Sequence, residues 1–270
     1  MKIGIFDSGF GGLSVFKAIE SFLPEYDYVY LGDSARAPYG NHSHEVIYDY
    51  VVEAVDYLFS KEDCQLAILA CNTASAQALR KLQQEWLPKH YPERRVLGVI
   101  RPVAEKIAEV AKGKRIGVIG TRATIIAGVF TKEIEKQLEQ DADIFEQACP
   151  LLVPMIEEGF HKKSEMKRIL KHYLRPLKQQ QVRVLINGCT HYQLIDHQIQ
   201  QIMGKRVQVI DSPQIVAESL RDYLHRHPEL ETTLDKNGHI SVLTTDKTDR
   251  FDDMASEFFG KPVTAKQVTL

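Results

Sequence analysis

Short apolar runs alternate with longer stretches in which apolar residues recur every three or four positions. Ile3 to Phe6 is a strand-like run ending in Asp7-Ser8-Gly9-Phe10-Gly11-Gly12, after which Leu13, Phe16, Ile19 and Phe22 fall on one helical face. Tyr28 to Leu31 reads as a second strand, followed by a loop, Gly32 to Gly40, rich in turn-formers. Ser43 is placed to cap a helix carrying Ile47, Val51, Ala54, Val55 and Leu58. The run Leu66-Ala67-Ile68-Leu69 then enters Ala70-Cys71-Asn72-Thr73-Ala74-Ser75 and an Ala/Leu helix, and Arg95 to Ile100 is a further strand.

Arg101-Pro102 marks a boundary, because the residue before a proline avoids helix, and the domain switch is placed near it. Beyond it the pattern predicts a helix from Val103 to Val110, a strand from Arg115 to Ile119, a polar turn from Gly120 to Thr124 and a strand at Ile144-Phe145. Cys149 to Pro154, with Glu157-Glu158-Gly159, reads as a loop with acids, and Ser164 is placed to cap a helix with Ile169, Leu170, Tyr173, Leu174 and Leu177 inward. Val182 to Ile186 runs into Asn187-Gly188-Cys189-Thr190-His191-Tyr192 and a second amphipathic helix. A strand from Val207 to Ile210, a helix begun at Pro213, a polar stretch from Pro228 to Gly238, a strand from Ile240 to Thr244, a helix from Arg250 to Phe259 and a strand near Pro262 to Val268 complete the chain.

Strands alternating with helices predict parallel, helix-covered sheets. The pattern also repeats: Ile3 to Ser8 echoes Ile116 to Thr121, each about seventy residues before its cysteine turn. We expect an α/β fold of two pseudo-symmetric domains, residues 1–97 completed by 208–270, and residues 98–207. Ligands of such sheets bind beyond the carboxyl ends of the strands. Asp7-Ser8, Pro38-Tyr39-Gly40, Cys71-Asn72-Thr73, Thr121 and Cys189-Thr190-His191 all lie at such ends, which puts the site in the cleft between the domains.

Composition narrows the class without naming a reaction. The 270 residues are 44% hydrophobic and 26% charged, as in globular proteins. Lys plus Arg number 34 against 36 for Asp plus Glu, a formal charge of -2, so charge gives no argument for nucleic acid or an anionic membrane. The start of the chain lacks the apolar core of a secretory signal and no stretch is long enough to span a membrane, so the expected location is cytoplasmic. Cys64, Cys71, Cys149 and Cys189 form no C-x-x-C pair, which argues against a zinc site or a redox dithiol.

Cys71 and Cys189 occupy matched strand-to-helix turns, where the positive end of a helix favours a thiolate. Two sulfurs facing a planar intermediate can act as base and acid, one removing a proton and the other returning it from the far side, which inverts a stereocentre. Asp7 and His191 are the nearest proton partners, and Ser8, Asn72, Thr73 and Thr190, with free N–H groups at the helix starts, suit a small zwitterion. Cys64 and Cys149 read as packing thiols and Glu157-Glu158 as a solvated face.

In order along the chain, Asp7 to Gly12, Gly32-Asp33 with Pro38-Tyr39-Gly40, Ala70 to Ser75, Cys149-Pro150-Leu151 with Glu157-Glu158-Gly159, and Gly188 to Tyr192 resemble the glutamate racemases of the cofactor-independent aspartate/glutamate racemase superfamily. The resemblance implies reversible conversion of L-glutamate to D-glutamate for peptidoglycan, with no cofactor and no metal. It implies Cys71 acting on D-glutamate and Cys189 on L-glutamate, Asp7 and His191 assisting, and Ser8, Tyr39, Gly40, Asn72, Thr73 and Thr190 binding substrate, with Thr121 and Glu157 beside them. A homodimer is compatible with it, since dimers are common in the family. Gln193 stands where the family usually has proline, which bears on local rigidity rather than chemistry. The chain also begins directly at its first strand, so the family's activation mode linked to an N-terminal extension is not expected here. The rivals are a racemase of aspartate or a related cysteine-pair isomerase, the former disfavoured by His191 where aspartate-selective relatives typically have glutamate, and a two-domain binding protein, which has no need of paired thiols.

Overall fold

The computed structural model describes residues 1–138 and 142–270. Among these residues ten strands form in chain order: β1 (Lys2–Asp7), β2 (Tyr28–Gly32), β3 (Cys64–Leu69), β4 (Arg95–Gly98), β5 (Ile116–Gly120), β6 (Ile144–Ala148), β7 (Val184–Gly188), β8 (Gln208–Ile210), β9 (Ile240–Thr244) and β10 (Lys266–Gln267). They pair in parallel as two sheets, ordered β10-β9-β2-β1-β3-β4 and β6-β5-β7-β8. The duplicated pattern is visible in that order. β2-β1-β3-β4 and β6-β5-β7-β8 are the same four-strand arrangement, and β9 and β10 extend only the first.

Helices cover both faces, which is why β1, β3 and β7 read as continuous apolar runs instead of alternating ones. The Leu13–Phe22 helix buries Leu13, Phe16 and Ile19 and packs against the Ser212–Arg226 helix. Ser43 caps the His44–Ser60 helix, its hydroxyl accepting from Val46 N at 3.4 Å. One apolar cluster runs through both halves, from Ile5 and Leu13 to Ile119, Leu152 and Ile186. Each such side chain contributes about 1.5–3 kcal/mol by leaving water.

Several elements depart from the sequence reading. The helix expected from Val103 begins at Ile100, with Pro102 in its first turn. The Cys149–Pro154 segment is not all loop, since Leu152–Glu157 is helical with Pro154 in its first turn. Both prolines are tolerated because an N–H in that turn has no intrahelical acceptor to lose. A short helix, Pro228–Glu231, interrupts the polar stretch, and the last strand shrinks to Lys266–Gln267. β8, which lies just past the boundary drawn at 207, pairs with β7 in the second sheet.

Candidate active site

The carboxyl ends of β1 and β3 face those of β5 and β7, and the loops between carry the expected residues. Ser8, Tyr39, Gly40, Cys71, Asn72, Thr73, Thr121, Glu157, Cys189, Thr190 and His191 line one cavity, with Ala37, Pro38 and Val153. Its free space is about 20 Å³, room for about one water. The two halves are therefore closed on each other.

Close backbone approach makes that closure possible. A Cβ on Gly11 would stand 2.4 Å from Thr190 Oγ1 and 2.5 Å from His191 Nδ1, so only glycine lets the first loop lie against the second cysteine block. A Cβ on Gly40 would meet Thr121 Cβ at 2.9 Å. Three hydroxyls lock the same seam: Thr73 Oγ1 lies 2.9 Å from Thr121 Oγ1 and 3.1 Å from Thr124 Oγ1, which are 3.0 Å apart. Thr124 was not among the expected residues. Its signal was the spacing Thr121-x-x-Thr124, in which Thr121 caps the helix Arg122–Ala127 by accepting from Thr124 N at 3.2 Å.

Cys71 caps the helix Asn72–Gln77, its sulfur accepting from Ala74 N at 3.4 Å and lying 3.4 Å from Ser8 Oγ. Burial nevertheless pushes the thiol up to about 12, and the charge of Asp7 adds to the shift. The thiolate expected from the helix start is thus corrected to a thiol, because burial and a neighbouring carboxylate outweigh two hydrogen bonds. Asp7 forms no hydrogen bond to Cys71. Its carboxylate accepts from Gly9 N at 2.9 Å and from Thr190 Oγ1 at 3.4 Å, tying the first loop to the second cysteine block. Burial raises the Asp7 pKa, against the opposing pull of His191 and the Gly12 and Gly9 N–H groups.

Cys189 precedes a 3-10 turn, Thr190–Ile195, and not the first turn of an α-helix, which starts at Asp196. The two cysteine turns match in topology and differ in helix type. Cys189 Sγ lies 3.9 Å from His191 Nδ1, and His191 Nε2 lies 3.0 Å from Glu157 Oε1. Burial would lower the His191 pKa, but the contacts with Cys189 and Glu157 outweigh it and raise it well above its usual value. Glu157 is therefore not on a solvated face; Glu158 is, reaching Arg250 at 3.4 Å near the surface.

Tyr39 is buried with its hydroxyl given to Asp33 Oδ2 at 2.5 Å, so it offers the cavity its ring. Phe258, outside every recognised block, meets the His191 ring edge-on at 5.4 Å. Cys64 and Cys149 are buried among apolar side chains as packing thiols. Among the described residues no helix is long and apolar enough to cross a membrane.

A family model for Asp/Glu/Hydantoin racemase matches residues 3–220. The glutamate racemase of Aquifex aeolicus is 40% identical over 266 residues, covering 98% of this chain and 97% of its own. Among solved structures, a glutamate racemase isoform from Bacillus anthracis gives a TM-score of 0.89 at 31% identity, covering 100% of this chain and 97% of its own. The Francisella tularensis glutamate racemase in complex with D-glutamate gives 0.87 at 30% identity, covering 99% and 97%. The cysteine turns, the closed cleft and these matches lead to one conclusion: the chain belongs to the Asp/Glu/Hydantoin racemase family.

Proposed function

We propose that the chain interconverts L- and D-glutamate by moving the α-proton between two cysteines, supplying D-glutamate for peptidoglycan in the cytoplasm. The observation that carries this reading is the pair of cysteines, one from each pseudo-symmetric half, lining a single closed cavity. With L-glutamate, Cys189 Sγ as thiolate takes the α-proton and leaves a planar carbanion conjugated with the carboxylate. The Cys71 thiol then gives its proton to the opposite face. The reverse direction exchanges the roles, with no net gain or loss of protons.

The surroundings divide in the same way. Negative charge on the Cys189 sulfur faces His191, which Glu157 holds as a cation. Cys71 keeps its proton and so is the acid toward L-glutamate; toward D-glutamate the substrate's α-ammonium lowers the cost of its thiolate. Ser8, Asn72, Thr73 and Thr190 supply the polar groups for a substrate with two carboxylates, and Thr121 and Gly40 close the seam over it. Because the closed cavity holds about one water, substrate entry requires the halves to part.

In this reading the site lies between two domains, residues 1–97 completed by 211–270 and residues 98–210, the second taking in β8 because that strand pairs with β7. The reading extends to a homodimer, for which the exposed Ile126, Leu151 and Phe160 of the second half offer apolar surface. Light scattering measures that directly. The substrate is tested by incubating pure protein with L-glutamate and, separately, L-aspartate, and separating the enantiomers by chiral chromatography. Formation of D-glutamate supports the reading; formation of D-aspartate alone replaces the substrate, and no product from either removes the activity.

A further inference from the structure

The Phe251–Phe259 helix lies in the segment that follows the second sheet, yet it reaches the strap carrying Glu157 at several points. Glu257 Oε1 lies 3.2 Å from His161 Nε2 and 2.7 Å from Lys162 Nζ. His161 is buried, its Nδ1 lies 3.3 Å from the Ile156 carbonyl, and its own carbonyl accepts from Gln198 Nε2 at 2.6 Å. Arg250, just before the helix, donates to the Glu157 carbonyl at 3.4 Å. Glu157 therefore sits inside a strap, residues 156–162, held on both sides. Gly159, at φ +76°, makes the turn between the held points.

These holds are unequal. The Arg250 contacts are long and near the surface, where ion pairs contribute little. The Glu257 contact reaches a buried imidazole from a partly buried carboxylate, and charge-assisted bonds of that kind are the stronger class. Without it, His161 keeps only its contacts within the second half. Among the described residues no other hydrogen bond or ion pair from the Phe251–Phe259 helix then reaches the strap beyond Gly159, and the 3.0 Å contact between Glu157 and His191 is held from one side less.

We propose that Glu257 is a positioning residue for the Cys189 side of the reaction: by holding His161 it fixes the strap that presents Glu157 to His191. This rests on the two-cysteine reading above. It separates the sulfurs, because the hydrogen bonds of Cys71 go to Ser8 and the Ala74 N–H and those of Cys189 to His191, the partner of Glu157.

The test is a pair of substrate isotope effects. Enantiomers have equal free energies in water, so kcat/KM must fall equally in both directions, and rates alone cannot show which sulfur is impaired. With α-deuterated L-glutamate the C–D bond is broken at Cys189; with α-deuterated D-glutamate it is broken at Cys71. In Glu257→Gln, kcat/KM should fall about tenfold to a hundredfold, as small misplacements in active sites do. The isotope effect should rise for the L-substrate and fall toward unity for the D-substrate. Each effect is a ratio taken on one sample, so partial unfolding of the variant does not alter it. Lys261→Gln, which cuts the pair with Glu20 beyond the same helix, should leave both effects at wild-type values. Isotope effects in Glu257→Gln that stay at wild-type values, or change alike for the two enantiomers, overturn the positioning role. A wild-type protein that does not racemise glutamate overturns the underlying reading instead.

Discussion

His191 Nε2 stands 3.0 Å from Glu157 Oε1, although Glu157 ends the short helix Leu152–Glu157 and His191 lies in the 3-10 turn after β7, 34 positions further on. The contact turns the imidazole so that Nδ1 faces Cys189 Sγ. On the other side Cys71 has a hydroxyl and a backbone N–H beside it, with Asp7 acting through its charge. The two sulfurs thus sit in unlike surroundings within a symmetric fold.

That asymmetry predicts a difference in alkylation. With its pKa at about 12, Cys71 is a thiolate in only about one molecule in 10⁴ at pH 8. A free cysteine, with a pKa of about 8.5, is ionised some 10³-fold more often. Iodoacetamide at pH 8, followed by peptide mass mapping, should modify Cys71 at least 10³-fold more slowly than a free-cysteine peptide. Reaction at the peptide's rate would contradict the burial argument.

Asp7 predicts a trade between stability and activity. Its folded-state pKa is raised, so its contribution to stability is present below the unfolded value of about 3.9 and is lost as pH rises through the folded value. At neutral pH the buried charge costs stability. Asp7→Asn should therefore unfold at higher urea than wild type at pH 7, the gain should shrink toward pH 4, and turnover should drop by about 10²-fold. A variant less stable at pH 7 and equal to wild type in acid would reverse the sign and refute the assignment.

Gly11 predicts the tightness of the seam. The Cβ of Gly11→Ala would lie 2.4 Å from Thr190 Oγ1, so the loop or the Thr190 turn must shift. Overpacking of this kind costs about 1–3 kcal/mol, and the shift displaces His191 as well. Thermal unfolding should show the loss of stability, and turnover should fall with it; wild-type values for both would mean that the halves do not close as described.

Much of this architecture is legible in the sequence, for physical reasons. Strands buried on both faces must be continuously apolar, so β1, β3 and β7 announce themselves, and duplication repeats the signal at Ile116 and at Cys189. Pro102 misleads because the avoidance of helix before a proline yields in a first turn. The Cys71 charge state escapes because it depends on burial and on Asp7 across the neighbouring strand. Glu157 looks solvated because its partner is set by a strap held from a helix about a hundred residues away. Phe258 and Thr124 act by packing and by closing a seam, which leave at most weak marks on a sequence.

Two sulfurs on opposite faces of the substrate that exchange the α-proton leave a signature in a single turnover in D2O. Wild-type protein with L-glutamate should place solvent deuterium in D-glutamate before it appears in recovered L-glutamate, and Cys71→Ser and Cys189→Ser should each lower racemisation by about 10²–10⁴-fold while leaving the fold intact by circular dichroism. Deuterium appearing equally early in both enantiomers, or a serine variant with wild-type turnover, would rule out proton exchange between the two sulfurs.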